Sequence, residues 1–159
     1  MMDGCMMEAM PDACLFCRIA AGTLPAAKVY ENDDMVAFLD TRPLFAGHCL
    51  LIPRPHIATL TDLPPDRVGP FFAGVRLVAA AVEAALAADG SFIAINNRVS
   101  QSVPHLHVHI VPRRNKDGLK GFFWPRRKYQ DDAEMESVRL AIQRALEGLE
   151  RSAIAPAPA

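Results

Sequence analysis

Residues 104–112 read Pro-His-Leu-His-Val-His-Ile-Val-Pro, an alternation of imidazole and aliphatic side chains. In an extended strand, successive side chains point to opposite faces. His105, His107 and His109 would then stand in a row on one face, roughly 6.6 Å apart per two-residue step. Leu106, Val108 and Ile110 would point the other way, into a core. The chain has five histidines in all, so three within this short stretch mark a chemical site rather than the polar face of an ordinary strand. Imidazole titrates near neutrality and serves as nucleophile, acid, base or metal ligand.

The rest of the chain predicts an α+β frame around that strand. A short helix is expected over Cys14–Ala21, stopped by Gly22. Short strands follow at Lys28–Tyr30 and Met35–Leu39, divided by the turn Glu31-Asn32-Asp33-Asp34. After a loop over Thr41–Gly47 comes a third strand, His48–Ile52, ended by Pro53 and Pro55. Apolar residues from Val68 to Leu86 recur at helical spacing, which predicts one long helix over Pro65–Ala88, ended at Asp89-Gly90. Strands at Phe92–Ile95 and Leu106–Val111 complete a five-stranded, mainly antiparallel sheet. An amphipathic C-terminal helix is expected over Asp132–Leu149, with Met135, Val138, Ile142, Ala145, Leu146 and Leu149 on one side.

At 159 residues the chain suits one domain with a real core. The organisation expected is a disordered extension over 1–11, a domain over 12–151 that includes the C-terminal helix, and a flexible Pro-rich tail over 152–159. A net charge of −1 gives no bulk attraction for nucleic acid or a membrane surface, so neither partner is expected. No apolar run is read as reaching the roughly 18 residues of a bilayer span. The segment Met1–Asp12 lacks the basic and apolar regions of a signal peptide. A cytoplasmic setting follows, in which thiols stay reduced and a close Cys pair reads as metal-binding or catalytic.

In the middle of the row, His107 has an imidazole neighbour on each side. A nucleophilic imidazole needs one ring nitrogen free and the other held by an acceptor that fixes the tautomer. The flanking His105 and His109 and the chain's own carbonyls can supply that hold and a catalytic proton for the leaving group. Gln101 and Ser102, just upstream, offer uncharged donors suited to phosphate oxygens. Cys14 and Cys17 have the C-x2-C spacing that lets two thiolates reach one ion. Cys5, Cys49 and His48 have no partner in the pattern, and His48 reads as structural. Arg113, Arg114, Lys116, Lys120 and Arg126-Arg127-Lys128 read as solvated charge, with Arg113 also within reach of a distal phosphate. Phe122, Phe123 and Trp124 would pack on the domain or join a dimer seam.

His105-Leu-His107-Val-His109-Ile-Val resembles the His-φ-His-φ-His-φ-φ signature of the histidine triad (HIT) family of nucleotide-binding hydrolases and transferases. Further blocks are similar to family blocks in family order: Cys14 to Ile19, Val36 to Asp40, Gly47 to Ile57 and Phe92 to Asn97. The resemblance spans about residues 12–126. It implies a HIT-like α+β fold, a homodimer, and a purine nucleotide, adenosine above others, bound with its α-phosphate against the triad. His107 would attack phosphorus and form a nucleotidyl-histidine. His109 and Ser102 match phosphate-contacting positions that assist the leaving group. Asp40 matches the ribose-binding carboxylate, and Phe16, Ile19 and Phe38 match the apolar walls around the base. Asn96 matches a phosphate- or leaving-group-contacting position. Members with the Cys pair resemble related uridylyltransferases that hold zinc with two Cys and two His, which makes His56 and His105 the completing ligands of a structural zinc. No organic cofactor is expected.

This chain departs from the family in one place. Many relatives carry a glycine-containing loop before the triad, whereas Asn97-Arg-Val-Ser-Gln101 is shorter and has none. A loop without glycine has fewer backbone conformations with which to wrap phosphates. The function expected is hydrolysis of a phosphoramidate, acyl-phosphate or phosphoanhydride at the nucleotide's α-phosphate, with nucleotidyl transfer to another acceptor as a variant. The alternatives are a nucleotide-binding regulatory module with incidental hydrolysis and, ranked last, a metal hydrolase using the three histidines.

Overall fold

The computed structural model describes residues 14–119 and 128–154, and the chain divides into two units at residue 118. The first unit holds α1 (Leu15–Ala20), β1 (Lys28–Glu31), β2 (Met35–Leu39), β3 (Cys49–Pro53), α2 (Pro65–Leu86), β4 (Gly90–Ala94) and β5 (Val108–Arg113). The second unit contains α3 (Asp132–Ile154), a helix with exposed Met135, Val138, Ile142, Leu146 and Leu149. The expectations for the extension over 1–11, for Cys5, Lys120, Arg126 and Arg127, for the Phe122-Phe123-Trp124 cluster and for the end of the tail lie outside the described residues.

The five strands form one antiparallel sheet in the order β1-β2-β3-β5-β4. Both faces are covered, so β2 and β3 are apolar almost throughout instead of alternating. One face carries Met35, Ala37, Cys49, Leu51, Val108 and Ile110, which pack with Phe71, Val75, Val78 and Val82 of α2. Gly74 belongs to that contact: a Cβ there would collide with the Met35 side chain. The other face carries Val36, Phe38, Leu50 and Ile52, packed against Phe16, Ile19 and Ala20 of α1. The burial of Leu106, Val108 and Ile110 matches the alternation in the sequence.

Register sets up the site. Phe38 pairs with Leu50, Leu50 with His109, and His109 with Ala94. One transverse row thus carries an aromatic ring, an aliphatic chain and an imidazole on the α1 face.

Several boundaries differ from expectation. The triad strand begins at Val108, not Leu106, so of the three histidines only His109 lies in it. The reason is where the preceding backbone groups bond: His105 N–H donates to Val103 O, and Leu106 N–H to Ile57 O in the loop after β3. Pro104 has no N–H for a ladder. The long helix ends at Leu86, and its left-handed cap is Ala87, at φ 48°, rather than Gly90. Arg114 donates to the carbonyls of Leu86 and Ala87 there, which offsets the strain of a non-glycine residue in that region. Gly22, at φ 78°, does follow α1 as expected.

The expectation that no stretch is apolar enough to span a bilayer needs correction. With 22 residues and a mean hydropathy of 1.5, α2 meets that criterion by length and composition. Its Phe71, Val75, Val78 and Val82 nevertheless pack in the core beneath the sheet, the position of a core helix.

Candidate active site

A cleft of about 900 Å³ opens beside α1 on the α1 face of the sheet. Its walls include Phe16, Ile19, Phe38, Asp40, Ser102, His107 and His109, so seven of the residues singled out in the sequence meet in one cavity. Phe16 stands edge-on to both Phe38, at 5.6 Å between ring centroids, and His107, at 5.2 Å. The apolar wall therefore runs directly to the central imidazole.

The hydrogen bonds fix the tautomers of the triad. His107 Nδ1 lies 2.7 Å from the carbonyl oxygen of His105. A carbonyl only accepts, so Nδ1 carries the proton and the Nε2 lone pair is left for chemistry in the cleft. The hold on His107 thus comes from the backbone of His105, not from a neighbouring ring.

His109 is oriented by a residue the sequence left unpartnered. His48 Nδ1 accepts from Leu44 N–H at 3.2 Å, so its proton sits on Nε2. That Nε2–H lies 3.0 Å from His109 Nδ1 and donates to it. His109 must therefore carry its own proton on Nε2. Burial pushes His109 down to about 4, with the neighbouring His107 and His48 adding to the effect. Burial also lowers His48, against the opposing pull of Asp40. Both rings are neutral at pH 7. His48 is thus a positioning residue, and nothing in the local sequence pattern signals it; the pairing of β3 with β5 is what brings it to His109.

His105 faces a different cluster. Its Nε2–H donates to Pro53 O at 2.8 Å, which leaves Nδ1 unprotonated, 3.5 Å from the Sγ atoms of both Cys14 and Cys17. His56 Nδ1 lies 3.3 Å from Cys17 Sγ. All four ligand atoms lie within 4.8 Å of one another. Bonds of about 2.3 Å to sulfur and 2.05 Å to nitrogen at a tetrahedral angle give S···N edges of about 3.5 Å, so the set fits zinc. The Pro53 carbonyl supplies the outer hydrogen bond that orients a ligating imidazole. Burial, together with the Cys14 thiol beside it, pushes the Cys17 thiol up to about 11, which a bound cation would reverse. Four protein ligands would close a tetrahedral shell, the donor set of a structural rather than a catalytic site.

Three expected residues do not line the cleft, the first being His105, whose ring faces the two thiols instead of a substrate. Asn96 is half-buried beyond the end of β4. Gln101 Oε1 accepts from Arg98 N–H at 2.7 Å, and its Nε2 donates to Ala58 O at 2.6 Å. These bonds brace the loop in which Arg98 and Ser100 take left-handed backbone angles of 64° and 60°. The loop without glycine adopts the turns glycine would favour, and Gln101 helps to hold them. Arg113 is committed to Asp117 through two hydrogen bonds, at 2.6 and 2.8 Å, rather than reaching toward a phosphate. Cleft residues that sequence reasoning missed include Leu24, Thr41, Arg42, Leu50 and Val103.

The profile of the HIT domain family matches residues 21–116. An uncharacterized HIT-like protein of Mycobacterium tuberculosis is 42% identical over 108 residues, which are 67% of this chain and 75% of that one. An adenylylsulfatase of Arabidopsis thaliana is 39% identical over 108 residues, covering 67% of this chain and 55% of the plant protein. An adenosine 5′-monophosphoramidase of Saccharomyces cerevisiae is 33% identical over 115 residues, 71% of this chain and 70% of its own. A zinc-bound histidine triad family protein from Mycobacterium smegmatis superposes with a TM-score of 0.65 at 40% identity, covering 90% of this chain and 99% of that structure.

Proposed function

The chain belongs to the HIT domain family, and on that premise we propose that it hydrolyses a nucleotide derivative at the α-phosphate, cleaving a phosphoramidate, acyl-phosphate or phosphoanhydride bond. The observation that carries this reading is the 2.7 Å bond from His107 Nδ1 to His105 O, which leaves an unprotonated nitrogen on a ring that walls the cleft. Similarity to proteins named adenylylsulfatase and adenosine 5′-monophosphoramidase supports the same chemistry.

In the first step His107 Nε2 attacks phosphorus. The N–P bond forms, and the leaving group departs with the bonding pair and takes up a proton. Ser102 Oγ–H and His109 Nε2–H donate to the phosphate oxygens and the departing atom. Water then attacks phosphorus, the N–P pair returns to Nε2, and the water's proton replaces the one removed. Asp40 binds the ribose hydroxyls, and Phe16, Ile19 and Phe38 flank the purine, taken as adenine. Cys14, Cys17, His56 and His105 hold a zinc that fastens α1 to the backbone whose carbonyl orients His107. Such ligands require reduced thiols, which fits a cytoplasmic setting.

The protein acts as a homodimer. The sheet ends on β4, whose outer edge is unpaired among the described residues and whose Ile93 is 40% exposed. An open strand edge with an exposed aliphatic side chain is the surface a second copy would cover.

Rapid quenching with adenosine phosphoramidate or a diadenosine polyphosphate, followed by mass spectrometry, tests the mechanism. A nucleotide adduct on the peptide containing His107, absent in His107→Ala along with turnover, is the expected result. Tight nucleotide binding without turnover or adduct would make the protein a binding module instead.

A further inference from the structure

Arg42 lines the same cleft but has no part in the steps above. It is the one Lys or Arg among the described residues of the cleft wall, and Asp40 is the one carboxylate. Three other arginines of this unit are engaged elsewhere: Arg54 with Glu31 and backbone carbonyls, Arg113 with Asp117, and Arg114 with the end of α2. The Arg42 guanidinium is exposed and has no hydrogen-bond or ion-pair partner among the described residues.

Its backbone is pinned near the reacting end of the cleft. Arg42 N–H donates to Asp40 Oδ1 at 2.8 Å. The Asp40 carboxylate in turn lies within 4.8 Å of ring nitrogens of His48 and His109. The side chain rooted there forms part of the same cleft wall as His107 and His109. The imidazoles of His48 and His109 are neutral at pH 7, because burial depresses both, so they do not supply a standing positive charge. Among the described residues that line the cleft, Arg42 is the one permanent cation available to a substrate with anionic charge beyond its α-phosphate.

We propose that Arg42 binds the anionic leaving group of the substrate, a phosphate, polyphosphate or sulfate, and so sets a preference for anhydrides over phosphoramidates. The assignment rests on the hydrolase reading and deepens it by naming the substrate class. A guanidinium offers paired donors matched to phosphate or sulfate oxygens, whereas ammonia or a neutral amine leaving from a phosphoramidate presents nothing for them.

The test compares kcat/KM for diadenosine tetraphosphate and adenosine phosphoramidate, which share the adenylyl group and differ in the charge that departs. Arg42→Ala is expected to lower the ratio of tetraphosphate to phosphoramidate about ten-fold or more, the scale of a hydrogen bond to a charged group. Arg42→Lys should restore part of that loss, Arg42→Glu should deepen it, and added salt should shrink the wild-type preference. A ratio that stays put, or both activities falling together, overturns the assignment. Adduct formation on His107 in the wild type separates the two claims. With the adduct present and the ratio unmoved, only the role of Arg42 falls; with no adduct from either substrate, the hydrolase reading falls and takes this proposal with it.

Discussion

His48 Nε2 donates to His109 Nδ1 across the β3–β5 pair at 3.0 Å, and this bond decides which nitrogen of His109 faces a substrate with a proton. The donor is itself fixed by Leu44 N–H, so the orientation is built from the backbone outward. Replacing His48 with Gln removes the ring but keeps polar atoms nearby. A fall in kcat on the order of ten-fold or more is expected, with KM changing less, because the loss concerns a group that assists the departing atom. The 15N shifts of His109 should show mixed tautomers in the variant. Unaltered shifts with unaltered kcat would remove His48 from the mechanism.

Acid should weaken the fold in a defined window. Burial holds folded His109 down to about 4 and lowers His48 as well, whereas an unfolded imidazole titrates at about 6.5. Between those values the unfolded chain binds protons that the folded chain refuses, so stability falls as pH drops from about 6.5 toward 4 and is flat above it. Urea midpoints measured from pH 8 down to pH 4.5 check the sign. His109→Ala should flatten the slope.

Zinc removal should loosen α1. Metal analysis is expected to find one zinc per chain in the wild type and none in Cys17→Ser. A strong chelator should lower Tm by on the order of 10 °C, since the ligands otherwise leave one buried and one half-buried thiol facing two imidazoles. Activity should fall with the folded fraction rather than before it. A zinc-free protein with an unaltered Tm would refute a structural metal.

The loop that carries Ser102 should depend on Gln101. Gln101→Ala removes bonds to Ala58 O and Arg98 N–H, at an expected cost of about 1–2 kcal/mol and a several-fold drop in kcat/KM. Ser100→Gly relieves a left-handed residue and should leave stability within about 1 kcal/mol of the wild type. Thermal melts and kinetics on the two variants separate strain from bracing.

Light scattering should give the mass of a dimer for the wild type. Ile93→Lys, placed on the open β4 edge, is expected to shift it toward monomer without lowering the circular dichroism signal. A wild-type monomer at micromolar concentration would refute the assembly.

The alternation His105-Leu-His107-Val-His109-Ile marked Leu106, Val108 and Ile110 as core residues, but the burial of His105 and His107 on the other side comes from the tertiary fold. The Cys14/Cys17 spacing likewise marked one half of the metal cluster before any fold was known. The family resemblance already implied three separate duties for the histidines, but the groups that hold each ring in place were not legible. His105 turns to the thiols, His107 is held by a carbonyl two residues back, and His109 is held by His48, 61 positions away in the chain. Strand order and register brought those groups together, and a hydrogen bond that fixes a tautomer depends on distances of tenths of an ångström, which only the packed tertiary structure sets.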